Sequence, residues 1–246
     1  MNATKSASTI WITPLLGLIL VLTLLTTKSS LRASAISNDA TSHKLTPPTD
    51  GEKISVAFVL TEGTTMIDFA GPWEVFQDVM TSPDNKMVHP FKLFTVSGSK
   101  NPIHTSAGMT VVPDYTFENA PPARIVVIPA QNGDPKLADW LRGRDKKSDV
   151  VMSVCTGAFQ LGEAGLLDGK KATTHHEFYD LFQKSFPNVT LLKGRRFVQS
   201  DDVIYTAGGL TSGIDLALHI VEKYYGRDVA LQTAKYMEYD SQGWLE

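Results

Sequence analysis

The residue with the clearest chemical potential is the single cysteine of the sequence, Cys155. It follows a predicted strand at 150–154 and precedes a predicted helix at 156–164, with small residues two positions before it and two after it, Ser153 and Gly157. This arrangement is typical of a nucleophile elbow, whose tight turn favours small neighbours. A thiol at a helix N-terminus feels the helix dipole and free backbone N–H groups, which favour the thiolate. The pattern predicts an activated nucleophile; a buried core cysteine is the alternative.

Asp68 is the predicted acid/base partner of this thiol. It stands between a predicted strand at 54–60 and a helix expected to begin around 70–73, where Pro72 is tolerated in the first turn. The residues that follow Asp68 are apolar and small enough to form a tight pocket. A carboxyl group in such a pocket can hold and release a proton near neutral pH. The alternative role for Asp68 is a plain helix N-cap.

His175 is the third candidate for the chemistry. It follows the short β-prone segment 171–174, so its imidazole is expected at the same end of the sheet as the thiol. A Cys–His pair is a known way to activate a thiol, whereas a solvated histidine at a helix start is the alternative. The other histidines show no metal-ligand spacing, so we predict no metal site and no cofactor.

Backbone N–H groups after the predicted strand at 124–129 are candidates for an oxyanion hole. An ordinary strand-to-helix loop is the alternative for this segment. The glycine-containing turn at 206–212 is a candidate pocket wall without the spacing of a nucleotide-binding loop. The predicted oxyanion and substrate-binding set is Thr156, Ala130, Gln131 and Gly71.

The elements that must position these residues alternate between strand and helix, which predicts an α/β fold with a doubly wound, mostly parallel sheet and helices on both faces. Ligands of such sheets bind at the carboxyl ends of the strands, where all the candidate residues stand. The predicted strands are 54–60, 91–96, 124–129 and 150–154, with short β-pieces at 109–112 and 171–174 and a hairpin at 197–206. The predicted helices are 70–80, 135–144, 156–164, 176–186, 212–225 and 228–239.

Composition limits the classes of partner. The chain has 246 residues, of which 42% are hydrophobic, enough for one sizeable core. The formal net charge of −3 leaves no basic surplus for the phosphate backbone, so we expect a small-molecule substrate and no nucleic-acid partner.

The first part of the chain is predicted to lie outside the folded domain. Residues 1–35 contain a cationic start, an uncharged apolar run at 10–27 and an Ala-x-Ala site at 33–35, which is typical of a secretory signal. An uncleaved N-terminal membrane anchor is the alternative, and both place the domain outside the cytoplasm. Residues 36–53 are polar with paired prolines and are predicted to be a disordered linker, followed by the domain at 54–246.

Several motifs together resemble the ThiJ/PfpI superfamily, whose members are class I glutamine-amidotransferase-like proteins. The matching segments are DFAGPWEVF at 68–76, SVCTGAF at 153–159, EAGLLDG at 163–169 and ATTH at 172–175. They are most similar to the isonitrile hydratase branch and to the sensor domains of AraC-type regulators. The resemblance covers about 54–239 and is much less specific for the reaction than for the superfamily.

The resemblance implies a flavodoxin-like fold, a homodimer, a nucleophile at Cys155, an acidic partner at Asp68, and supporting roles for His175 and the Thr156 N–H. Two features depart from the family pattern. Pro129-Ala130-Gln131 stands where relatives commonly have Pro-Gly-Gly, which reduces the freedom to aim backbone N–H groups, and most relatives lack a signal segment. AraC-type regulators also carry a C-terminal helix-turn-helix domain, for which we expect no room before residue 246.

These observations favour a cysteine-dependent hydratase or hydrolase-like enzyme, a hydro-lyase whose best specific reaction is conversion of an isonitrile to an N-substituted formamide. A non-catalytic binding or redox-sensing domain, with Cys155 as an oxidisable switch, is one alternative. A glyoxalase or deglycase activity is another, although it is associated with a glutamate where this chain has Asp68.

Overall fold

The computed structural model describes residues 45–49 and 51–245, so the predicted signal at 1–35 and the linker residues 36–44 lie outside the described residues. The strands, in chain order, are β1 (Ile54–Val59), β2 (Phe91–Ser97), β3 (Ile103–His104), β4 (Thr110–Val111), β5 (Tyr115–Thr116), β6 (Ile125–Ile128), β7 (Val150–Ser153), β8 (Lys171–Ala172), β9 (Thr190–Leu191), β10 (Phe197–Gln199) and β11 (Ile204–Ala207). The helices are α1 (Met66–Asp78), α2 (Leu137–Leu141), α3 (Gly157–Glu163), α4 (Tyr179–Ser185), α5 (Ser212–Tyr225) and α6 (Arg227–Tyr236). Short 3-10 turns occupy Pro83–Asn85, Arg144–Lys146, His176–Phe178 and Gly243–Leu245.

Seven strands form the central sheet, in the order β10-β11-β7-β6-β1-β2-β5. All neighbours in it are parallel except the hairpin of β10 and β11. The chain passes from β1 to β2 on one side and returns to β6 and β7 on the other, so the strand order reverses between β1 and β6. A reversal of this kind opens a crevice at the carboxyl ends of the strands. The predicted fold class is therefore confirmed.

The two faces of the sheet carry separate apolar cores. Alternate residues of β1 point to opposite sides, as strand geometry requires. Val56 and Phe58 pack with α1, α5 and α6, whereas Ala57 and Val59 pack with α2, α3 and α4. Because both faces are covered, the central strands β1, β6 and β7 are nearly continuously apolar rather than alternating with polar residues.

Helix α1 begins earlier than predicted. It starts at Met66, after an extended Thr65, and Pro72 lies inside it rather than in its first turn. Since proline has no N–H, the carbonyl of Asp68 receives no helical hydrogen bond from position 72. The prediction was wrong because it treated Pro72 as a start signal, and Asp68 consequently lies within the helix rather than before it.

Part of the predicted linker packs on the domain. Leu45 is 6% exposed and belongs to the core beneath α5, and its N–H donates to the carbonyl of Lys223 at 3.1 Å. The carbonyl of Thr46 accepts from Arg124 Nη2 at 2.7 Å. The packed structure thus includes residues before 54. Among residues 45–49 and 51–245, none of the helices has both the length and the apolar character needed to cross a membrane.

Candidate active site

Cys155 occupies a sharp turn between β7 and α3. Its φ is 58°, a left-handed conformation that costs a non-glycine residue on the order of 1–3 kcal/mol. Two hydrogen bonds hold the backbone there: the Cys155 N–H donates to the Gly208 carbonyl at 2.8 Å, and Thr174 Oγ1 donates to the Cys155 carbonyl at 2.9 Å. The elbow is therefore fixed from two neighbouring segments.

Gly157 allows the elbow to approach β6. A Cβ atom at this position would overlap the carbonyl oxygen of Ile128 and lie 2.9 Å from that of Pro129. Both are backbone atoms, so they cannot move aside as the end of a side chain could. This contact is the physical reason for a glycine two residues after the nucleophile.

Asp68 is completely buried in the first turn of α1. Its Oδ2 accepts from the Ala130 N–H at 3.1 Å, and the carboxyl group also interacts with the Cys155 thiol and the Leu210 N–H. Burial raises the pKa of this carboxyl to about 7, although interactions with the Ala130 N–H, the Cys155 thiol and the Leu210 N–H act in the opposite direction. A carboxyl group that titrates near neutral pH beside a thiol is suited to exchange a proton with it.

The electrostatics of the thiol differ from the prediction that the helix start favours the thiolate. Burial, followed by the negative charge of Asp68, raises the pKa of Cys155 to about 12, and this outweighs the backbone N–H groups of Thr156 and Leu210, which lower it. Cys155 is only 7% exposed, so water does little to stabilise a charged sulfur. At neutral pH the resting pair is a neutral thiol facing a carboxyl group that can accept its proton.

His175 lies close to the elbow but bonds elsewhere. Its Nδ1 accepts from the Glu177 N–H at 3.3 Å, and its ring contacts His176 and Phe178, with centroids 4.4 and 5.9 Å away. A Cβ at Gly209 would lie 2.9 Å from its Nε2, so the ring covers that glycine. No described hydrogen bond joins His175 to Cys155 or Asp68, which leaves the predicted Cys–His pair without a described contact.

The predicted oxyanion donors have separate tasks. The Ala130 N–H is engaged by Asp68, so it positions the carboxyl group instead of offering a free donor. The Thr156 N–H faces the Cys155 sulfur. Gln131 contributes its side chain: its Oε1 accepts from the Thr61 N–H, and its Nε2 is buried without a partner.

Gly71 belongs to helix packing. A Cβ there would lie 2.8 Å from Cγ1 of Ile214, so Gly71 lets α1 and α5 approach each other. The substrate-binding role of Gly71 stays a prediction, because this packing contact does not test it.

Leu210 was missed as an individual residue. Its backbone N–H interacts with both Cys155 and Asp68, and its φ of 54° is the second left-handed non-glycine conformation at the site. The sequence indicated only a pocket wall at 206–212, because a leucine gives no sign of a left-handed backbone. Among the described residues, no group of three or more His, Cys, Asp or Glu side chains could hold a metal ion.

Comparison with known proteins connects this site to one family. The DJ-1/PfpI family model matches residues 54–223. The isonitrile hydratase of Pseudomonas putida is 32% identical over 192 residues, which cover 76% of this chain and 78% of that protein. A solved ThiJ/PfpI family protein from Pseudomonas syringae has a TM-score of 0.67 at 27% identity, covering 77% of this chain and 76% of that one.

A transcriptional regulator is also similar over a shorter region. The HTH-type transcriptional regulator CdhR of Pseudomonas aeruginosa is 30% identical over 150 residues. These cover 59% of this chain and 44% of the regulator, so the likeness extends to less than half of that protein.

Proposed function

Because the chain belongs to the DJ-1/PfpI family, as its motifs indicated, we propose that it is a cysteine-dependent enzyme that adds water to a small electrophilic substrate. An isonitrile is the proposed substrate and an N-substituted formamide the product. The observation that carries this proposal is the buried pair of Cys155 and Asp68, in which Ala130 fixes Oδ2 of the carboxyl group and the thiol interacts with that group. The similarity to an isonitrile hydratase over 78% of that enzyme supports the choice of substrate.

The first step forms a covalent adduct. The sulfur of Cys155 bonds to the terminal carbon of the isonitrile while its proton passes to the Asp68 carboxylate. The carbon, which now carries the electron pair, takes that proton from Asp68. The product is a thioimidate, S–CH=N–R, and Asp68 is again a carboxylate. A pKa near 7 suits Asp68 for both directions of this transfer.

The second step consumes water. Its oxygen bonds to the thioimidate carbon, and its two protons end on the nitrogen and the new hydroxyl group, with Asp68 as the proton carrier. The C–S bond then breaks, the hydroxyl proton passes through Asp68 to the leaving sulfur, and the oxygen becomes the carbonyl of the formamide. The thiol is regenerated, so no oxidant, reductant or cofactor is required.

Leu210, whose N–H interacts with the pair, has an apolar side chain and is 46% exposed, which supports a substrate with an uncharged substituent. Burial of the thiol and carboxyl group also favours a small neutral electrophile, because a charged group entering this site would lose its hydration.

Incubation of the protein with cyclohexyl isocyanide tests the proposal. We expect N-cyclohexylformamide to form, at a rate lowered at least about 100-fold in Cys155→Ser, because a hydroxyl is a poorer nucleophile than a thiol. Exposed Ser185→Ala is the control and should turn over at the wild-type rate. Absence of formamide at high concentrations of wild-type protein would reject isonitriles as the substrate class.

A redox-sensing role for Cys155 is the alternative proposal, and it would use the same thiol. Because burial raises the pKa of Cys155, its proton would have to pass to Asp68 before peroxide oxidises the sulfur, as it would before attack on an isonitrile. Export and a homodimer remain proposals as well. The uncharged apolar run at 10–27 supports export or an N-terminal membrane anchor, and family resemblance supports the dimer.

A further inference from the structure

The side chain of Gln131 is held by one end and unpartnered at the other. Its Oε1 accepts from the Thr61 N–H at 2.6 Å, whereas the Thr61 hydroxyl donates its single proton to the Asn132 carbonyl. Because a backbone N–H can only donate, the amide oxygen of Gln131 faces Thr61 and its nitrogen points away from that N–H. That Nε2 atom is buried and makes no hydrogen bond.

The backbone around Gln131 is tied to the acid/base residue. The Thr65 N–H donates to the Ala130 carbonyl at 2.8 Å, and the Ala130 N–H donates to Asp68 Oδ2 at 3.1 Å. On the other side, the Asn132 N–H donates to the Glu62 carbonyl at 2.9 Å. Gln131 is therefore the central residue of a loop fastened on both sides, one peptide away from the group that positions Asp68.

The segment joined to Ala130 through Thr65 holds a second such atom, because Thr64 Oγ1 is also buried and makes no hydrogen bond. Buried polar atoms in folded proteins are nearly always hydrogen-bonded, so each exception needs an explanation. A polar ligand atom that binds at Gln131 Nε2 would supply the partner that this nitrogen lacks.

We propose that Gln131 Nε2 binds the oxygen atom that the reaction introduces, first in the attacking water and its adduct and then in the formamide carbonyl. The inference rests on the proposed function and names the group that receives its oxygen. Negative charge builds on this oxygen as the hydroxyl proton leaves and the C–S bond breaks, and a donor fixed in advance stabilises such charge without reorganisation. A neutral amide does so without adding a charge to the loop whose Ala130 N–H holds Asp68.

Gln131→Glu removes the Nε2 donor but keeps a side-chain oxygen that can accept the hydrogen bond from Thr61. Its carboxylate can still accept from Thr61 but presents an oxygen in place of the Nε2 donor. We follow the mass of the intact protein after rapid mixing with cyclohexyl isocyanide. The adduct on Cys155 adds the mass of the isonitrile, so its formation and its breakdown are measured separately. We expect formation within about threefold of wild type and breakdown slowed about 10- to 100-fold, so that the thioimidate accumulates.

Gln131→Met is the uncharged second variant. Its adduct should break down equally slowly, although this variant also loses the hydrogen bond from Thr61 to the side chain. If Gln131→Glu breaks down its adduct at the wild-type rate, the donor role is wrong while the proposed function stands. If the wild-type protein forms neither adduct nor formamide, the proposed function fails, and this inference fails with it.

A binding measurement on the wild-type protein gives a second readout, in which the variants serve only to assign one resonance. In ¹⁵N-labelled wild-type protein, N-cyclohexylformamide should shift the side-chain NH₂ resonance of Gln131. That resonance can be assigned through its loss in Gln131→Glu or Gln131→Met. Saturating formamide that shifts resonances of the elbow but leaves the Gln131 amide unchanged would overturn the inference.

Discussion

At the scale of single residues, the site depends on competition for one proton. The elbow places Cys155 at a helix start, but burial and the adjacent carboxyl group oppose a charged sulfur more strongly than the backbone N–H groups favour it. Two buried groups of the same charge type titrate as a pair, and the second negative charge is the costly one. In the proposed mechanism, Cys155 is therefore activated by transfer of its proton to Asp68, rather than by a low resting pKa.

We expect Asp68→Asn to lower the pKa of Cys155. Above pH 7 the wild-type carboxyl group is charged and disfavours the thiolate, and asparagine removes that charge. Alkylation by iodoacetamide as a function of pH should therefore rise at a lower pH in the variant than in wild type. Asp168→Asn, an exposed residue after α3, should leave the profile unchanged. A higher thiol pKa in Asp68→Asn would contradict this account.

Residue types indicated part of this site. A lone cysteine between small residues and an aspartate in an apolar segment could be recognised from the sequence, because their chemistry is carried by the side chain. Leu210 could not, because it acts through its N–H, and any residue has one. The unpartnered nitrogen of Gln131 was equally invisible, since it depends on a bond to Thr61, 70 positions earlier in the chain.

At the scale of elements, the contact between the elbow and β6 sets the geometry. The Ile128 and Pro129 carbonyls lie against Gly157, the first residue of α3. This contact fixes the distance between the turn at Cys155 and the loop after β6, whose Ala130 N–H binds the Asp68 carboxyl group. A rigid backbone contact of this kind keeps the thiol close to the carboxyl group.

Gly157→Ala should destabilise the protein by about 2–4 kcal/mol, because the added methyl group overlaps backbone carbonyls that cannot shift separately from the sheet. Urea unfolding measures the change. Gly133→Ala is the matched control: its φ is ordinary and the new Cβ would meet only the Gln160 amide at 3.7 Å. We expect less than about 1 kcal/mol there. If Gly157→Ala lowers the free energy of unfolding no more than this small change in Gly133→Ala, the elbow tolerates a side chain and the prediction is wrong.

The elements themselves were predictable where apolar runs were long. The strands at 54–60 and 124–129 and the helix at 212–225 agree closely with β1, β6 and α5. The two-residue β5 was missed because its pairing depends on β2 and on Asp114, whose Oδ2 accepts from Thr95, rather than on any local pattern. The predicted helix at 176–186 divides into a 3-10 turn and α4.

At the scale of the whole molecule, Cys155 and Leu45 lie near opposite ends of helix α5. Helix α5 begins two residues after Leu210, beside the thiol, and its Lys223 carbonyl receives the N–H of Leu45 near its other end. A helix of 14 residues is about 21 Å long. Changes at Leu45 should therefore affect stability without reaching the site.

We expect Leu45→Ala to lower the free energy of unfolding by about 2–4 kcal/mol, since it removes a buried leucine from the core. The rate of formamide production by the folded protein should not change. Leu181→Ala provides the comparison, because that leucine is 53% exposed and should cost less than about 0.5 kcal/mol. A loss of activity without a loss of stability in Leu45→Ala would contradict the separation of the two ends.

The overall architecture followed from the alternation of strands and helices, and the strand order did not. Period and propensity identify elements, whereas the reversal between β1 and β6 is a property of how crossovers are arranged in space. The domain boundary was placed at 54 because 36–53 is polar and proline-containing; one leucine in that stretch was enough to anchor it to the core.

The left-handed backbone of Cys155 sets folding and chemistry against each other at one position. Glycine would adopt this conformation without strain, so the residue that would suit the fold best is one with no chemistry at all. Natural selection for stability alone would replace the thiol there. A chain that keeps a cysteine in this place therefore retains it at a thermodynamic cost, which is the kind of compromise expected where function rather than folding determines the amino acid.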